Sequence, residues 1–240
     1  MAEFPFELVE TAGDQAFNAW LELKRAGRGA PVVLGNDKSV EILMETLSPA
    51  RTSEAVADII RSAERLRHPE DLASHRAEDA ERARQYLLQS DPNATPFEFE
   101  GAEVGEWPAV PSASTGLSVA FDVLSRRPLQ RVHIALIPTD DWTTIPAHFL
   151  WGGWNECPAP EYHVAALRSW RDRFDAELVG LTFDVMNVRV GRRPDSRGDA
   201  LALAREQYLY CNDIVDQGVE TLSALAAYLM ADEWWYFWWD

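Results

Sequence analysis

The sequence predicts an α/β fold: a mixed sheet with helices packed on it, preceded by a helix-rich N-terminal α/β region. Three observations predict it. In Arg131–Pro138, Val132, Ile134 and Leu136 alternate with His133, Ala135 and Ile137. Both faces are then mostly apolar, as in a central strand covered on both sides. From that run onward, strand and helix patterns follow in the order β, α, β, β, α, α, β, with no internal repeat. Lastly, Trp234, Trp235, Tyr236, Phe237, Trp238 and Trp239 are consecutive aromatics before Asp240. Burying one large ring contributes about 1.5–3 kcal/mol. This tail therefore reads as a buried strand that the rest of the chain is built to receive.

At 240 residues the chain suffices for one large domain or two small ones. Hydrophobic residues at 47% and charged residues at 25% place it among ordinary globular proteins. Its longest apolar runs fall well short of the ~20 residues that span a bilayer. Met1–Glu7 has neither a basic nor an apolar signal region, so a soluble cytoplasmic protein is the expectation. Cys157 and Cys211 suit a reducing compartment. They are too few for a disulfide framework or an all-cysteine zinc site. The net charge of −17 divides into −9 over residues 1–130 (13 basic, 22 acidic) and −8 over 131–240 (9 basic, 17 acidic). Such a field disfavours nucleic acid and anionic membranes, keeps the chain soluble, and attracts a cationic partner.

Residues 1–90 read as the helix-rich N-terminal region, 91–129 as a Pro-rich acidic connector and 130–240 as the C-terminal α/β domain. Phe4–Val9 is a short first strand. Gly13–Ala26 is a helix, with Ala16, Phe17, Trp20, Leu21 and Leu23 at helical spacing and Gly27 as its stop. Pro31–Leu34 is a buried strand ending at Gly35. Asn36 and Asp37 cap the next helix, in which Val40, Leu43, Met44 and Leu47 share a face. A helix start after a glycine invites a phosphate reading. One glycine is not the nucleotide-binding pattern, so a turn and a cap is preferred.

Pro49 breaks the chain, and Ser53 caps a helix with Val56, Ile59, Ile60, Ala63 and Leu66 on one face. His68 and Pro69 break it again before a helix over Asp71–Gln89, where Glu78 and Arg82 pair at i, i+4. The prolines at 92, 96, 108 and 111 make the connector, in which Phe97 and Phe99 suggest a short edge strand. After Pro138 comes a long aromatic loop to Pro158, then a helix with Pro160 in its first turn. Glu177–Thr182 and Val185–Val190 form a hairpin around Phe183 and Asp184. Ser196 and Asp199 form a capping box opening the next helix, and Val219 to Leu229 make the last one.

Several motifs in this half carry a resemblance. They are His133-x-Ala-Leu-Ile-Pro-Thr139, Trp151-Gly-Gly-Trp-Asn-Glu-Cys-Pro158, Leu203-Ala-Arg-Glu-Gln-Tyr208, Cys211-Asn-Asp-Ile-Val-Asp-Gln-Gly218 and the aromatic tail. Together they resemble the bacterial family called domain of unknown function 4253, over about residues 130–240. The resemblance implies a bacterial, soluble, standalone protein and carries no activity.

Two clusters carry candidate chemistry. In the loop, the aromatics Trp142, Trp151, Trp154 and Tyr162 accompany Asn155, Glu156, Cys157, Glu161 and His163. Aromatics with a few polar groups line small-molecule and peptide pockets, and Gly152–Gly153 lets backbone approach a ligand. Cys157 and His163 are a candidate nucleophile–base pair. The bland alternative is core packing around a turn and a small buried thiol. In the second cluster, Tyr208 accompanies Asp213 and Asp216, spaced to share one helical face as an acid–base pair or to cap the flanking helices. Expected ligand contacts are therefore Trp142, Trp151, Trp154, Asn155, Tyr162 and Tyr208. Catalytic candidates are Cys157, Glu161, His163, Asp213 and Asp216. No paired Cys/His spacing suggests a metal, and no cofactor is expected.

The leading reading is a non-catalytic binding protein, immunity- or antitoxin-like, whose acidic surface takes a basic partner protein or a small molecule. The alternative is a hydrolase or transferase with a pocket between the Trp151–His163 loop and Asp213/Asp216.

Overall fold

Strands from both halves of the chain interleave in one sheet. The computed structural model describes residues 4–46, 52–91 and 101–240. Its strands are β1 (Glu7–Thr11), β2 (Ala30–Gly35), β3 (Val132–Ile137), β4 (Ala176–Leu181), β5 (Val185–Val190) and β6 (Trp234–Trp238). Their order across the sheet is β1-β3-β2-β4-β5-β6. Every pairing is antiparallel except that of β2 with β4. The mixed α/β class predicted from the sequence is thus the observed one. Every residue of β2 and β3 is buried, which is why both faces of these strands are so apolar.

The helices are α1 (Ala16–Ala26), α2 (Asp37–Thr46), α3 (Ser53–Ala63), α4 (Glu70–Ser90), α5 (Ile145–Phe149), α6 (Pro160–Phe174), α7 (Arg197–Tyr210) and α8 (Leu222–Ala231). Gly27 ends α1 in the left-handed region, its N–H bonded to the Lys24 carbonyl. One face of the sheet is covered by α1 and the segment around Leu117–Ala120, where Trp20, Val33, Ile134, Val179 and Trp234 meet. On the other face Trp170 of α6, Tyr210 of α7 and Leu225 of α8 join Leu34, Leu178, Val188 and Phe237. No described helix is long and apolar enough to cross a membrane.

The aromatic tail is the strand β6, zipped to β5 from Trp238↔Val185 to Trp234↔Arg189. Its inward rings lie among those of α6 and α7. Phe237 stacks on Trp170 at 5.2 Å, and Trp235 meets Trp170 edge-on at 5.5 Å. Glu206 of α7 joins the layers from beneath. It accepts from Trp170 Nε1 at 2.6 Å and from both Arg173 terminal nitrogens at 2.8 Å. His68 Nε2, between α3 and α4, lies 3.2 Å from the same carboxylate, off the hydrogen-bond axis.

Local differences from the sequence reading have local causes. Thr52, not Ser53, caps α3, its Oγ1 accepting from the Ala55 N–H at 3.0 Å. The first strand starts at Glu7 because Phe4 and Phe6 turn to pack on Phe149. Asn187, a polar alternate on β5, is fully buried because the 117–120 segment covers that face. Leu47 and the expected edge strand at Phe97 and Phe99 lie outside the described residues.

Candidate functional site

The loop between α5 and α6 folds back on the first turns of α6. Gly152 (φ 111°) makes this possible, since a Cβ there would sit 2.1 Å from the Pro158 carbonyl oxygen and 2.6 Å from His163 Nε2. The Gly153 N–H donates to the Pro158 carbonyl at 2.9 Å, and the Cys157 N–H to the Trp154 carbonyl at 2.8 Å. Trp151 points inward and donates from Nε1 to the Thr182 carbonyl at 2.8 Å. Its ring lies 4.7 Å from His163, 5.2 Å from Trp154 and 5.3 Å from Trp239.

The loop brings Cys157 and His163 together, as a nucleophile–base pair requires. Cys157 Sγ is 3.5 Å from His163 Nε2, and His163 Nδ1 is 2.5 Å from the Tyr210 hydroxyl. Both side chains are buried, however. Burial pushes the thiol pKa far up, the neighbouring Cys211 adding to it. Burial also pulls His163 down to about 3, against the Pro158 carbonyl, which favours the charged ring. An activated thiolate needs the opposite shifts. At neutral pH both groups are uncharged, and the pair tethers the loop to α6 and α7.

Of the other expected site residues, Asn155 and Asp213 reach the tail. Asn155, exposed and at φ 45°, donates from Nδ2 to the main-chain oxygen of Asp240 at 2.6 Å. Asp213 accepts from the Asp240 N–H at 3.2 Å and from Gln217 at 2.9 Å. Asp216 accepts from the Tyr208 hydroxyl at 3.1 Å and from Asn212 at 3.4 Å. Cys211 Sγ donates to the Trp238 carbonyl at 2.9 Å. Tyr162 is drawn away to stack on His75, ring centres 5.0 Å apart. Trp142 is half-buried at the start of a 3-10 turn, and Glu161 is half-buried in the first turn of α6. Among the described residues no group of His, Cys, Asp and Glu side chains is placed to hold a metal ion.

A different place has the form of a binding site. A cleft of about 720 Å³ opens beyond the carboxyl ends of β2 and β4, the parallel pair. Crevices at that position are where open α/β sheets take ligands. None of the six expected ligand contacts lines it. One wall is the start of α2, where Asn36 Oδ1 accepts from the Ser39 N–H at 3.0 Å. Thr182, Asp184 and Tyr236 form another, and the 114–129 segment the third. Asp184 Oδ1 accepts from Thr182 Oγ1 at 2.9 Å. Burial raises the Asp184 pKa against that hydrogen bond, and the charge of Asp240 raises it further. The Tyr236 hydroxyl is pushed up to about 12 by burial, with the Asp184 charge adding. Behind the cleft, Asn187 Oδ1 accepts from Ser118 Oγ at 3.0 Å and from the Val119 N–H at 3.1 Å. Only the amide oxygen can accept from a main-chain N–H, so its orientation is set, and Nδ2 is left without a partner. The sequence showed the Gly35–Asn36 join and the Phe183–Asp184 turn, but nothing local shows that β2 and β4 are neighbours.

Fold and site together define an α/β protein with one mixed sheet, an aromatic loop whose Cys157 and His163 are buried, and an open cleft at its parallel step. Residues 133–240 match the model of the family described as Domain of unknown function (DUF4253), the C-terminal part in which the motifs lie. No curated protein and no solved structure matches the chain.

Proposed function

We propose that the protein acts by binding, not by catalysis, and that it takes a basic partner protein on its acidic surface. The observation that carries this reading is the state of Cys157 and His163. They stand at reacting distance, yet both are buried and both are uncharged at neutral pH. Asp213 and Asp216 are likewise engaged, one with the tail and one with Tyr208. The groups best suited to chemistry serve the fold, while a net charge of −17 remains to steer a cationic surface.

The test is affinity capture from the native cell, with mass spectrometry of proteins and small molecules, using the natural chain and Cys157→Ser. The expected result is one basic protein recovered by both baits, at a yield that falls as ionic strength rises. A small molecule converted by the natural chain but not by Cys157→Ser would overturn the reading.

A further inference from the structure

We infer that the cleft beyond β2 and β4 receives one basic side chain, arginine or lysine, of a partner protein, with Asp184 as its counter-charge and an apolar neighbour of that residue resting on the Val123–Leu124 tip. This rests on the proposed function for its class of partner and adds the place and the chemistry of recognition.

Asp184 is the first reason. It stands in the cleft wall, half-buried, and among the described residues no lysine, arginine or histidine pairs with it. A carboxylate drawn partly out of water without a counter-ion is costly, and a guanidinium or ammonium restores the balance through charge-assisted hydrogen bonds. The other charges lining the cleft, Asp122 and Arg126, are exposed at the rim and opposite in sign. They cancel, so Asp184 sets the sign of the interior. An anion is disfavoured by the unpaired Asp184.

The rest of the lining suits a long basic side chain. Ser39, Ser118, Thr182 and Tyr236 offer oxygen acceptors, while Val119, Phe121 and Val185 offer apolar surface. Lysine and arginine need both, a wet head and a methylene stem laid on apolar groups. A volume of about 720 Å³ lies within the range of small-ligand pockets, enough for one side chain and its neighbours.

The tip is the second, independent reason. Phe121 bridges to Pro128, and the Asp122 and Arg127 main chains bond across a tight turn at 2.9 Å. Asp122 also fixes the turn by accepting from the Ser125 N–H and Oγ, both at 2.7 Å. This turn holds Val123 and Leu124 out in water, 88% and 95% exposed. Val123 lines the cleft, so the exposed apolar pair is continuous with it.

The proposal is tested by calorimetric titration with the peptide acetyl-Gly-Leu-Arg-Leu-Gly-amide, beside the same peptide with glutamine in place of arginine. Saturable binding of the arginine peptide is expected, about tenfold weaker for the glutamine peptide and for the Asp184→Asn protein. Leu124→Ser should weaken it several-fold, and Glu156→Gln, an exposed acid elsewhere, should leave it unchanged. Melting of each variant is measured alongside. If Asp184→Asn does not fold, the glutamine peptide and Leu124→Ser still decide. Equal binding of the two peptides, an unaffected Asp184→Asn, or no saturation by the arginine peptide would overturn the proposal. Tighter binding of n-butylguanidinium than of the peptide, with no effect of Leu124→Ser, would assign the cleft to a free organic cation and also overturn it. The cellular capture separates this from the broader reading. A basic protein held equally by the natural chain and Asp184→Asn keeps the binding function and removes the cleft. Absence of any basic protein removes the binding function, whatever the peptides do.

Discussion

Gly152 shows how tightly one residue can be specified. At φ 111°, with a Cβ destined for 2.1 Å from the Pro158 carbonyl oxygen, no other residue fits without moving the loop. Gly152→Ala should cost about 2–4 kcal/mol, combining backbone strain with displacement of the loop. A urea midpoint close to that of the natural chain would show that the loop yields freely. Asn155 is a milder case. Asn155→Ala should cost about 1–2 kcal/mol, from a left-handed backbone and a lost hydrogen bond. Asn155→Gly relieves the backbone part and should cost under about 1 kcal/mol. Glu206 carries a pH signature. Burial would raise its pKa from 4.5, but His68 and Arg173 overcome burial and hold it at about 2. A depressed carboxylate stabilises the fold above its unfolded pKa. That stability should be lost as pH falls from about 4.5 through about 2, by roughly 3 kcal/mol in order of magnitude. Acid unfolding of Glu206→Gln should lack that component. A profile parallel to the natural one would sink the assignment. At this scale the sequence was informative about residue types and silent about partners. It offered Cys157 and His163 as a pair, which they are, but spacing cannot tell a buried pair from an open one.

Elements were more legible than sites, because their signals are local. The left-handed stop at Gly27, the cap at Ser196 and the proline opening α6 all act where the sequence reading placed them. The tail was legible for a different reason: its apolar load leaves few alternatives to burial. Trp235, Phe237 and Trp239 are each at most 1% exposed, and Trp170, Tyr210 and Trp151 surround them. Deleting Trp235–Asp240 strips β5 of its partner strand and opens the ring cluster of α6 and α7. Losing three buried rings at roughly 3 kcal/mol or more each is comparable to the whole stability of a domain. The truncated chain should show no cooperative melt by circular dichroism. A transition within a few degrees of the full-length value would mean that β5 can serve as an edge without β6.

At the scale of the molecule, periodicity identifies strands but not their neighbours. That β3 lies between β1 and β2, and that β2 alone joins it to β4, depends on pairings far apart in sequence. The consequence is testable on the segment that matches the family. Residues 133–240 contain nearly all of β3 together with β4, β5 and β6, but neither β1 nor β2. Alone, the segment would leave β3 with no strand on either edge, and β4 without its parallel partner. The backbone groups of β3, buried along their length in the whole chain, would have to find water or other partners. His68, which stands beside Glu206, and α3, whose Val56 packs with Val164 of α6, would be lost with them. The isolated segment should therefore lack a cooperative thermal transition and give a poorly dispersed amide NMR spectrum, while the full chain gives a cooperative transition and a well-dispersed spectrum. A well-dispersed spectrum with a melt near that of the full chain would show that β3 is held by the helices alone. The two halves would then be separable units, and the cleft, which needs β2 beside β4, would be a feature of their union.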